Sequence, residues 1–267
     1  MLLSREWLNL DPLPEHSDLV VVPPSKGGGY RDLIRLGVGA AVGFLLLIGW
    51  MTIRQLTEGG QEPSGQEMII LVGLQLVLIF GLPTLLARNG RATLVGLLRP
   101  LPPRQWRGYS WPWLILILLG IGLGLSFVLS ELSSSIIQAL SLEGIFSLED
   151  IVAQQVEEML LGADAGTIVL ALFSLCIAPG VCEELFFRGV VDRALQQEMP
   201  QRPWLSLWLS SAIFSLLHFS AVGFLSRMAL GGLLAYTYRK TNRIYMPMLL
   251  HALNNLIALL WVFVPFD

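Results

Sequence analysis

Apolar stretches long enough to cross a membrane dominate the 267-residue sequence and restrict its fold more than any other feature. The hydrocarbon core of a bilayer is about 30 Å thick, which requires about 20 residues of α-helix. We count about seven such stretches, or six to eight because the sixth is short: 36–53, 68–87, 109–130, 167 onward, 204–222, 228–238 and 244–264. The sequence therefore predicts an all-α, polytopic transmembrane helix bundle.

The scarcity of charge excludes several other classes of protein. Only 14% of the residues are charged and 54% are hydrophobic, whereas about a quarter of a soluble chain is charged. Bulk disorder requires low hydrophobicity and high net charge, which this chain lacks. A formal net charge of −3 without a basic stripe predicts no nucleic-acid partner. Cys176 and Cys182, both in an apolar region, are interpreted as packing residues rather than a disulfide or metal pair.

Charged loops predict the orientation in the membrane. Five arginines and no acid lie between Arg88 and Arg107, and basic loops favour the cytoplasmic side. Successive loops alternate between the two sides of the membrane, so a cytoplasmic position of this loop predicts a cytoplasmic amino terminus. The expected organisation is a flexible cytoplasmic head, three amino-terminal helices, an acidic external loop and a carboxy-terminal helix bundle, over 1–32, 33–130, 131–166 and 167–267.

The acidic external loop contains one segment with helical spacing. Ser147 and Asp150 resemble a capping box, and apolar residues follow at helical intervals up to Leu160. This pattern favours an amphipathic helix that lies over the bundle at the membrane interface, and an ordinary helix within a loop is the alternative.

Six polar residues lie within the last four apolar stretches, where their burial is costly. They are Glu183, Glu184, Arg188, His218, His251 and Asn255. A charged side chain at the centre of a membrane helix costs about 2.5–3.5 kcal/mol on insertion scales. Each residue alone has a structural interpretation, as an ion pair or as hydrogen-bonded packing between helices. The whole set, distributed over three stretches, favours a site inside the bundle.

Helical spacing predicts which of these side chains share a face. Glu184 and Arg188 are four residues apart and can pair, while Glu183 points about 100° away. His251 and Asn255 have the same spacing, and so do Phe214 and His218, which lets the ring of Phe214 shield the imidazole.

Carboxylate, imidazole and amide groups together suit the hydrolysis of an amide bond. A carboxylate and a histidine can hold and deprotonate a water, and a second histidine with an asparagine can donate to the oxyanion. Alternatively, Glu183, His218 and His251 would bind a divalent metal such as Zn²⁺, which lowers the pKa of bound water to near 7. The HExxH motif of soluble metalloproteases is absent from the sequence.

Three short motifs resemble those of one membrane family. Residues 183–188 read EELFFR and resemble the EExxxR motif of the CPBP family, the CAAX proteases and bacteriocin-processing enzymes (Abi). Phe214 and His218 match its FxxxH motif, and His251 and Asn255 match its HxxxN motif, in the same order. The resemblance covers roughly 167–264, about a third of the chain, and the first three spans carry no motif of the family.

This resemblance implies an intramembrane endopeptidase with its site in a cavity of the bundle. By carry-over, Glu183 activates a water with help from His218, and His251 and Asn255 stabilise the oxyanion or complete a metal site. Glu184 and Arg188 would hold the motif in place. The implied partners are membrane lipids and a membrane-associated peptide, such as a prenylated tail or a leader peptide. A glutamate-dependent and a metal-dependent mechanism both stay open.

Two other functions use the same buried residues. One is a proton- or ion-coupled transporter, although the sequence shows no inverted repeat of two broken helices. The other is a catalytically silent immunity or partner protein on the same scaffold.

Straight helices pose one geometric problem. They would place His218 about 21 Å and His251 about 10 Å from the cytoplasmic ends of their spans. We therefore expect irregular backbone near Pro179 and Gly180 or around the sixth stretch, because broken helices are tolerated where they line a cavity.

Overall fold

The computed structural model describes residues 28–57, 64–97, 105–106, 109–139 and 156–261. These residues form helices joined by short turns, and one two-stranded antiparallel pair, β1 (Gln105–Trp106) and β2 (Tyr109–Ser110). The helices are α1 (Gly28–Thr57), α2 (Gly65–Leu76), α3 (Leu82–Leu86), α4 (Arg88–Leu97), α5 (Trp111–Ala139), α6 (156–160), α7 (Ala165–Ala171), α8 (Ala178–Phe186), α9 (Asp192–Glu198), α10 (Pro203–Leu216), α11 (Phe224–Thr241) and α12 (Tyr245–Trp261). Three π-helical segments interrupt longer helices: π1 (Val77–Gly81), π2 (Leu172–Ile177) and π3 (Phe187–Val191).

Four continuous helices are long and apolar enough to span a membrane, and they confirm the helical membrane bundle. They cover Gly28–Arg54, Gly65–Leu86, Trp113–Ala139 and Ala165–Glu198. Two shorter apolar helices, α10 and α12, and the less apolar α11 follow at the positions of the last three predicted spans. The chain is therefore an integral membrane protein.

Several expected boundaries differ from those of the structure. Helix α1 begins at Gly28, so the end of the expected polar head is helical, and α5 continues to Ala139, into the expected acidic loop. Residues 1–27 and most of the predicted interfacial helix lie outside the described residues. Its last turn, α6, is helical, and Leu160 is buried against Ile69, Ala171 and Leu259.

The basic loop after the second span contains a helix that the sequence analysis did not predict. The carboxylate of Asp32 on α1 accepts hydrogen bonds from the backbone N–H groups of Arg88 (2.9 Å) and Asn89 (2.8 Å), at the start of α4. An acidic side chain at a helix amino terminus satisfies unpaired N–H groups and interacts favourably with the helix dipole. This cap orders α4 against the rest of the bundle.

Helices α7 to α9 form one continuous helix with π2 and π3, which we call the motif helix (Ala165–Glu198). Its amino-terminal cap is Asp164, whose side chain accepts a hydrogen bond of 2.7 Å from the backbone N–H of Thr167. Segment π2 ends directly before Ala178 and Pro179. Because proline has no N–H group, the turn before it lacks one donor, and a widened turn relieves the conflict with regular α-helical bonding. The irregularity expected near Pro179 is therefore confirmed.

Helices α10 and α11 form an antiparallel hairpin that is shorter than two full spans. With 14 residues, α10 is about 21 Å long. The fifth span was expected to continue to Val222, but the helix ends at Leu216 and the chain reverses over 217–223. The expectation that His218 lies inside a span is therefore wrong, since it lies in the turn beyond the helix. At the other end of the hairpin, Arg239 of α11 bonds Ser206 of α10.

The main apolar core surrounds the second half of the motif helix. Phe186, Phe187, Val190 and Val191 pack with Phe214 of α10 and with Leu36, Ala87 and Leu195, and all eight are buried. The rings of Phe80, Phe186, Phe187 and Phe214 meet edge-on or tilted, with centroid distances of 5.0–6.0 Å. This core fixes the helix that carries Glu183, Glu184 and Arg188.

Candidate active site

Three parts of the fold bring the predicted site residues together. Glu183, Glu184 and Arg188 lie on the motif helix, His218 lies directly after α10, and His251 and Asn255 lie on α12. A close approach of α12 to the motif helix is possible at Gly180, where an added Cβ would lie 2.9 Å from the carbonyl oxygen of Met248. The three motifs therefore form one cluster.

Glu184 is paired on both of its oxygens. Its Oε2 accepts a hydrogen bond of 2.9 Å from Nε of Arg188, and its Oε1 lies 3.0 Å from Nδ1 of His251 on α12. The side chains of Glu184 and Arg188 are fully buried, and that of His251 is 4% exposed. The sequence predicted the first pair from helical spacing, whereas the contact with His251 joins two helices. Because buried charges require partners, this group locks α12 to the motif helix.

Glu183 and His218 face each other across a short gap. Oε2 of Glu183 lies 3.8 Å from Nε2 of His218, which is too long for a direct hydrogen bond. Within the described part of the chain, this buried oxygen has no hydrogen-bond partner. Nδ1 of His218 lies 2.8 Å from the carbonyl oxygen of Phe214. A carbonyl only accepts hydrogen bonds, so Nδ1 carries the hydrogen, and in the neutral ring Nε2 is an acceptor that faces the carboxylate.

The ring of Phe214 lies close to both histidines. Its centroid is 4.9 Å from that of His218 and 5.8 Å from that of His251, and the guanidinium of Arg188 lies 5.3 Å from it. Phe214 is 1% exposed. Both imidazoles thus lie beside the same aromatic ring, which brings the second and third motifs together.

Asn255 contacts backbone rather than another polar side chain. Its Nδ2 donates a hydrogen bond of 3.2 Å to the carbonyl oxygen of Leu175 in π2. This carbonyl belongs to the turn that lacks a donor because of Pro179. An amide NH₂ group has two hydrogens, so one stays available for a second acceptor.

The described geometry does not form a ready-made metal site. Across the residues that the structure covers, no three His, Cys, Asp or Glu side chains are grouped closely enough to hold a metal ion. Glu183, His218 and His251 are therefore not grouped as a three-ligand set among the residues that the structure describes. Nδ1 of His251 contacts Glu184 and Nδ1 of His218 contacts the carbonyl oxygen of Phe214, so Nε2 is the nitrogen of each ring that could bind a water or a metal. Cys176 and Cys182 are both buried and unlinked.

The sequence analysis missed polar residues that connect the site to its surroundings. Asp192, buried one helical turn beyond Arg188, pairs with Arg239 of α11 and accepts a hydrogen bond of 2.8 Å from Gln196. The sequence could have indicated Asp192, because it lies four residues after Arg188 and continues the helical spacing of the polar residues in the motif. From α4, the hydroxyl of Thr93 lies 2.9 Å from the carbonyl oxygen of Asn89 and 3.3 Å from that of Gly189 in π3. No sequence pattern marks Thr93.

Comparison with known proteins gives one finding for this region. No match was found among curated proteins or among solved structures. A family model described as "Type II CAAX prenyl endopeptidase Rce1-like" matches residues 165–257, which contain all three motifs. The match begins with the motif helix and ends within α12, so it leaves α1 to α6 uncovered. It confirms that this region of the chain is similar to the CAAX protease family, as its motifs indicated.

Proposed function

We propose that this protein is an intramembrane endopeptidase that hydrolyses a peptide bond of a membrane-associated peptide with a water held between Glu183 and His218. The observation that carries the proposal is the gap of 3.8 Å between two acceptor atoms, Oε2 of Glu183 and Nε2 of His218. The similarity of residues 165–257 to CAAX prenyl endopeptidases supports the same reaction.

A single water suits this gap. Hydrogen bonds of about 2.8 Å from one water oxygen to both atoms are compatible with a separation of 3.8 Å, with a roughly right angle between them. A water has two hydrogens, so it can donate one to each acceptor. Its lone pairs then point away from both bases, toward the space that a substrate carbonyl would occupy.

The reaction follows from these positions. As the water oxygen attacks the carbonyl carbon, its proton passes to the pair formed by Glu183 and His218, which acts as general base. The C–N bond of the resulting tetrahedral intermediate then breaks, and the same proton passes to the leaving amine. Atoms and charge balance without a further reactant.

His251 and Asn255 are proposed to donate hydrogen bonds to the oxyanion. His251 already directs Nδ1 to Glu184, so it can donate from Nε2 only when the ring is doubly protonated. The buried carboxylate of Glu184 stabilises that charge. Asn255 retains one amide hydrogen after its bond to Leu175. Such donors act strongly because they are fixed before the reaction begins.

The amino terminus is proposed to lie in the cytoplasm, because the basic loops alternate as the orientation rule requires. A metal stays a separate proposal, in which Glu183, His218 and His251 would have to move together to supply three ligands. No step of the reaction above depends on it.

The proposal is tested with purified protein and a library of membrane-anchored peptides. Glu183→Gln and His218→Ala should each lower the cleavage rate by about 10²- to 10⁴-fold, the usual contribution of general acid–base catalysis. Glu131→Gln, an exposed position on α5, is the matched control and should cleave like the parent. Cleavage that survives both site substitutions would refute the assigned chemistry, and a parent without cleavage would favour a transporter or a silent partner. Dialysis against a chelator, followed by metal analysis, tests the metal proposal.

A further inference from the structure

The turn after His218 contains an unusual backbone conformation. Two non-glycine residues of the described chain have a positive φ, Phe219 (51°) and Asn242 (53°). Asparagine tolerates this left-handed region, and Asn242 ends α11 there, where its N–H donates to the carbonyl oxygen of Tyr238. A bulky phenylalanine is a true outlier in the same region. Phe219 therefore adopts a costly conformation that a glycine would adopt freely.

Packing of the Phe219 side chain does not offset the energetic cost of this conformation, because 61% of its surface is exposed. The surrounding turn holds it in place instead. The N–H groups of His218 and Phe219 donate to the carbonyl oxygens of Ser215 and Leu216, both at 3.1 Å, and the hydroxyl of Ser215 donates across the turn to the carbonyl oxygen of Phe224 (2.7 Å). Strained residues of this kind persist where neighbouring bonds fix them, and they concentrate at functional sites.

The candidate active site opens toward this turn. The side chain of His218 is 30% exposed, whereas Glu183 is 8%, His251 4% and Glu184 0% exposed. Among these four side chains, His218 is thus the one that an incoming molecule can reach first. Phe219 follows it directly in the chain, with Cα atoms 3.8 Å apart across a trans peptide.

We propose that Phe219 is a substrate-contacting residue whose ring binds the apolar group next to the scissile bond. The inference rests on the proposed function. A ring held one residue from the imidazole reaches groups that flank the attacked carbonyl, since neighbouring residues of an extended peptide are about 3.3–3.6 Å apart. The ring is 61% exposed and its backbone is fixed by the turn, so it is available to an incoming apolar group.

The test compares Phe219→Gly and Phe219→Asn with the parent on membrane-anchored peptides. The residue before the cleaved bond is alanine, leucine or an S-alkylated cysteine, so that side-chain and lipid sources of the apolar group are distinguished. For the preferred peptide, both variants should raise KM by about tenfold and change kcat by less than twofold. In both variants, the preference of the parent for that peptide over the alanine peptide should disappear. Thermal stability should not decrease, since glycine and asparagine both tolerate a positive φ.

Asn242→Gly is the matched control, because it changes the other left-handed residue, far from His218 in the sequence, and should leave KM unchanged. An equal fall of kcat for all peptides with constant KM would overturn the inference, since Phe219 would then only shape His218.

A binding measurement separates this result from a failure of the proposed function. Affinity of the same peptides is measured for Glu183→Gln with and without Phe219→Gly. Weaker binding by the double variant supports the contact even if the parent cleaves none of the peptides. Equal binding by both variants overturns it.

Discussion

Helix α1 and the motif helix are equally apolar in composition, yet they occupy different environments. Over the most apolar windows, their mean hydropathies are the same, but 17% of the α1 window and 44% of the motif-helix window is buried inside the protein. Most of the α1 window therefore lies on the outside of the bundle, whereas α4, α10, α12, the second span and one face of α1 itself pack around the motif helix. The comparison shows that hydropathy identifies helices that can cross a membrane, but not which of them forms the centre of a bundle.

The two environments place different demands on side chains. Leu45, an outward-facing residue of α1, is 66% exposed. On the motif helix, Glu184 and Arg188 are fully buried and depend on partners from other helices. Substitutions in the two regions should therefore differ in cost, and the following experiments measure that difference.

The largest effect is expected where a buried charge loses its partner. Arg188→Ala should lower the free energy of unfolding by about 3–5 kcal/mol, because it leaves Glu184 with His251 alone in the interior. Leu45→Ala on α1 is the control and should change it little. Denaturant titration in detergent micelles measures both. An Arg188→Ala variant as stable as the parent would contradict the view that the motif helix is the buried centre.

A second pair of substitutions adds the same methyl group in both regions. In Gly43→Ala, the new Cβ would lie 2.2 Å from the carbonyl oxygen of Leu78, and in Gly180→Ala 2.9 Å from that of Met248. Each should cost about 1–3 kcal/mol of stability through overpacking. Only Gly180→Ala should also lower cleavage per folded molecule, because it displaces α12 with His251 and Asn255.

Gly49→Ala is the control for this pair, since nothing lies within 4 Å of the added Cβ. Thermal unfolding and the cleavage rate of the folded fraction are measured together. Equal loss of cleavage in Gly43→Ala and Gly180→Ala would show that the amino-terminal helices position the site as directly as α12 does.

A smaller effect tests the contact between α4 and the motif helix. Thr93→Val removes the hydroxyl that α4 directs toward the carbonyl oxygen of Gly189, and should cost about 1 kcal/mol of stability with a partial loss of cleavage. Thr84→Val is matched, because the hydroxyl of Thr84, a buried residue, donates to the carbonyl oxygen of Phe80 in the same continuous helix. If both variants lose cleavage equally, the α4 contact has no special role in holding π3.

The smallest effect concerns the exposed start of the motif helix. Hydrogen bonds from the side chain and backbone of Thr167 lower the pKa of Asp164 below its ordinary value. A lowered pKa in the folded state means that the ionised cap stabilises the helix above the ordinary pKa of about 3.9, and this stability is lost as the pH falls through the folded value. Parent and Asp164→Asn are compared by thermal unfolding from pH 7 to pH 3. Their difference should shrink on acidification, and a constant difference would contradict the capping role.

Much of the site could be predicted because it depends on spacing along one helix. The pairing of Glu184 with Arg188 follows from four-residue spacing, and the expected cost of six polar residues in apolar stretches already favoured a shared site. The contact of Glu184 with His251, by contrast, joins residues 67 positions apart. It depends on how deeply α12 lies against the motif helix, which Gly180 permits but does not specify.

Other features could not be predicted because they depend on local breaks in regular structure. The end of α10 at Leu216 and the turn at Phe219 place His218 beside Phe214 and opposite Glu183, although the sequence continues apolar to Val222. Similarly, α4 is polar and basic in sequence, and its order depends on Asp32, which lies 56 residues before Arg88.

Composition and motif spacing alone were sufficient to establish a helical membrane protein with a cluster of buried polar residues, because the cost of placing charge in hydrocarbon applies to every fold. Which oxygen faces which nitrogen was settled only when the helices packed. Glu183 and Glu184 are adjacent in sequence and identical in chemistry, but one carboxylate is saturated by Arg188 and His251, whereas the other faces His218 across a gap. The direction of each side chain around the helix, and the helix that lies there, separates their roles.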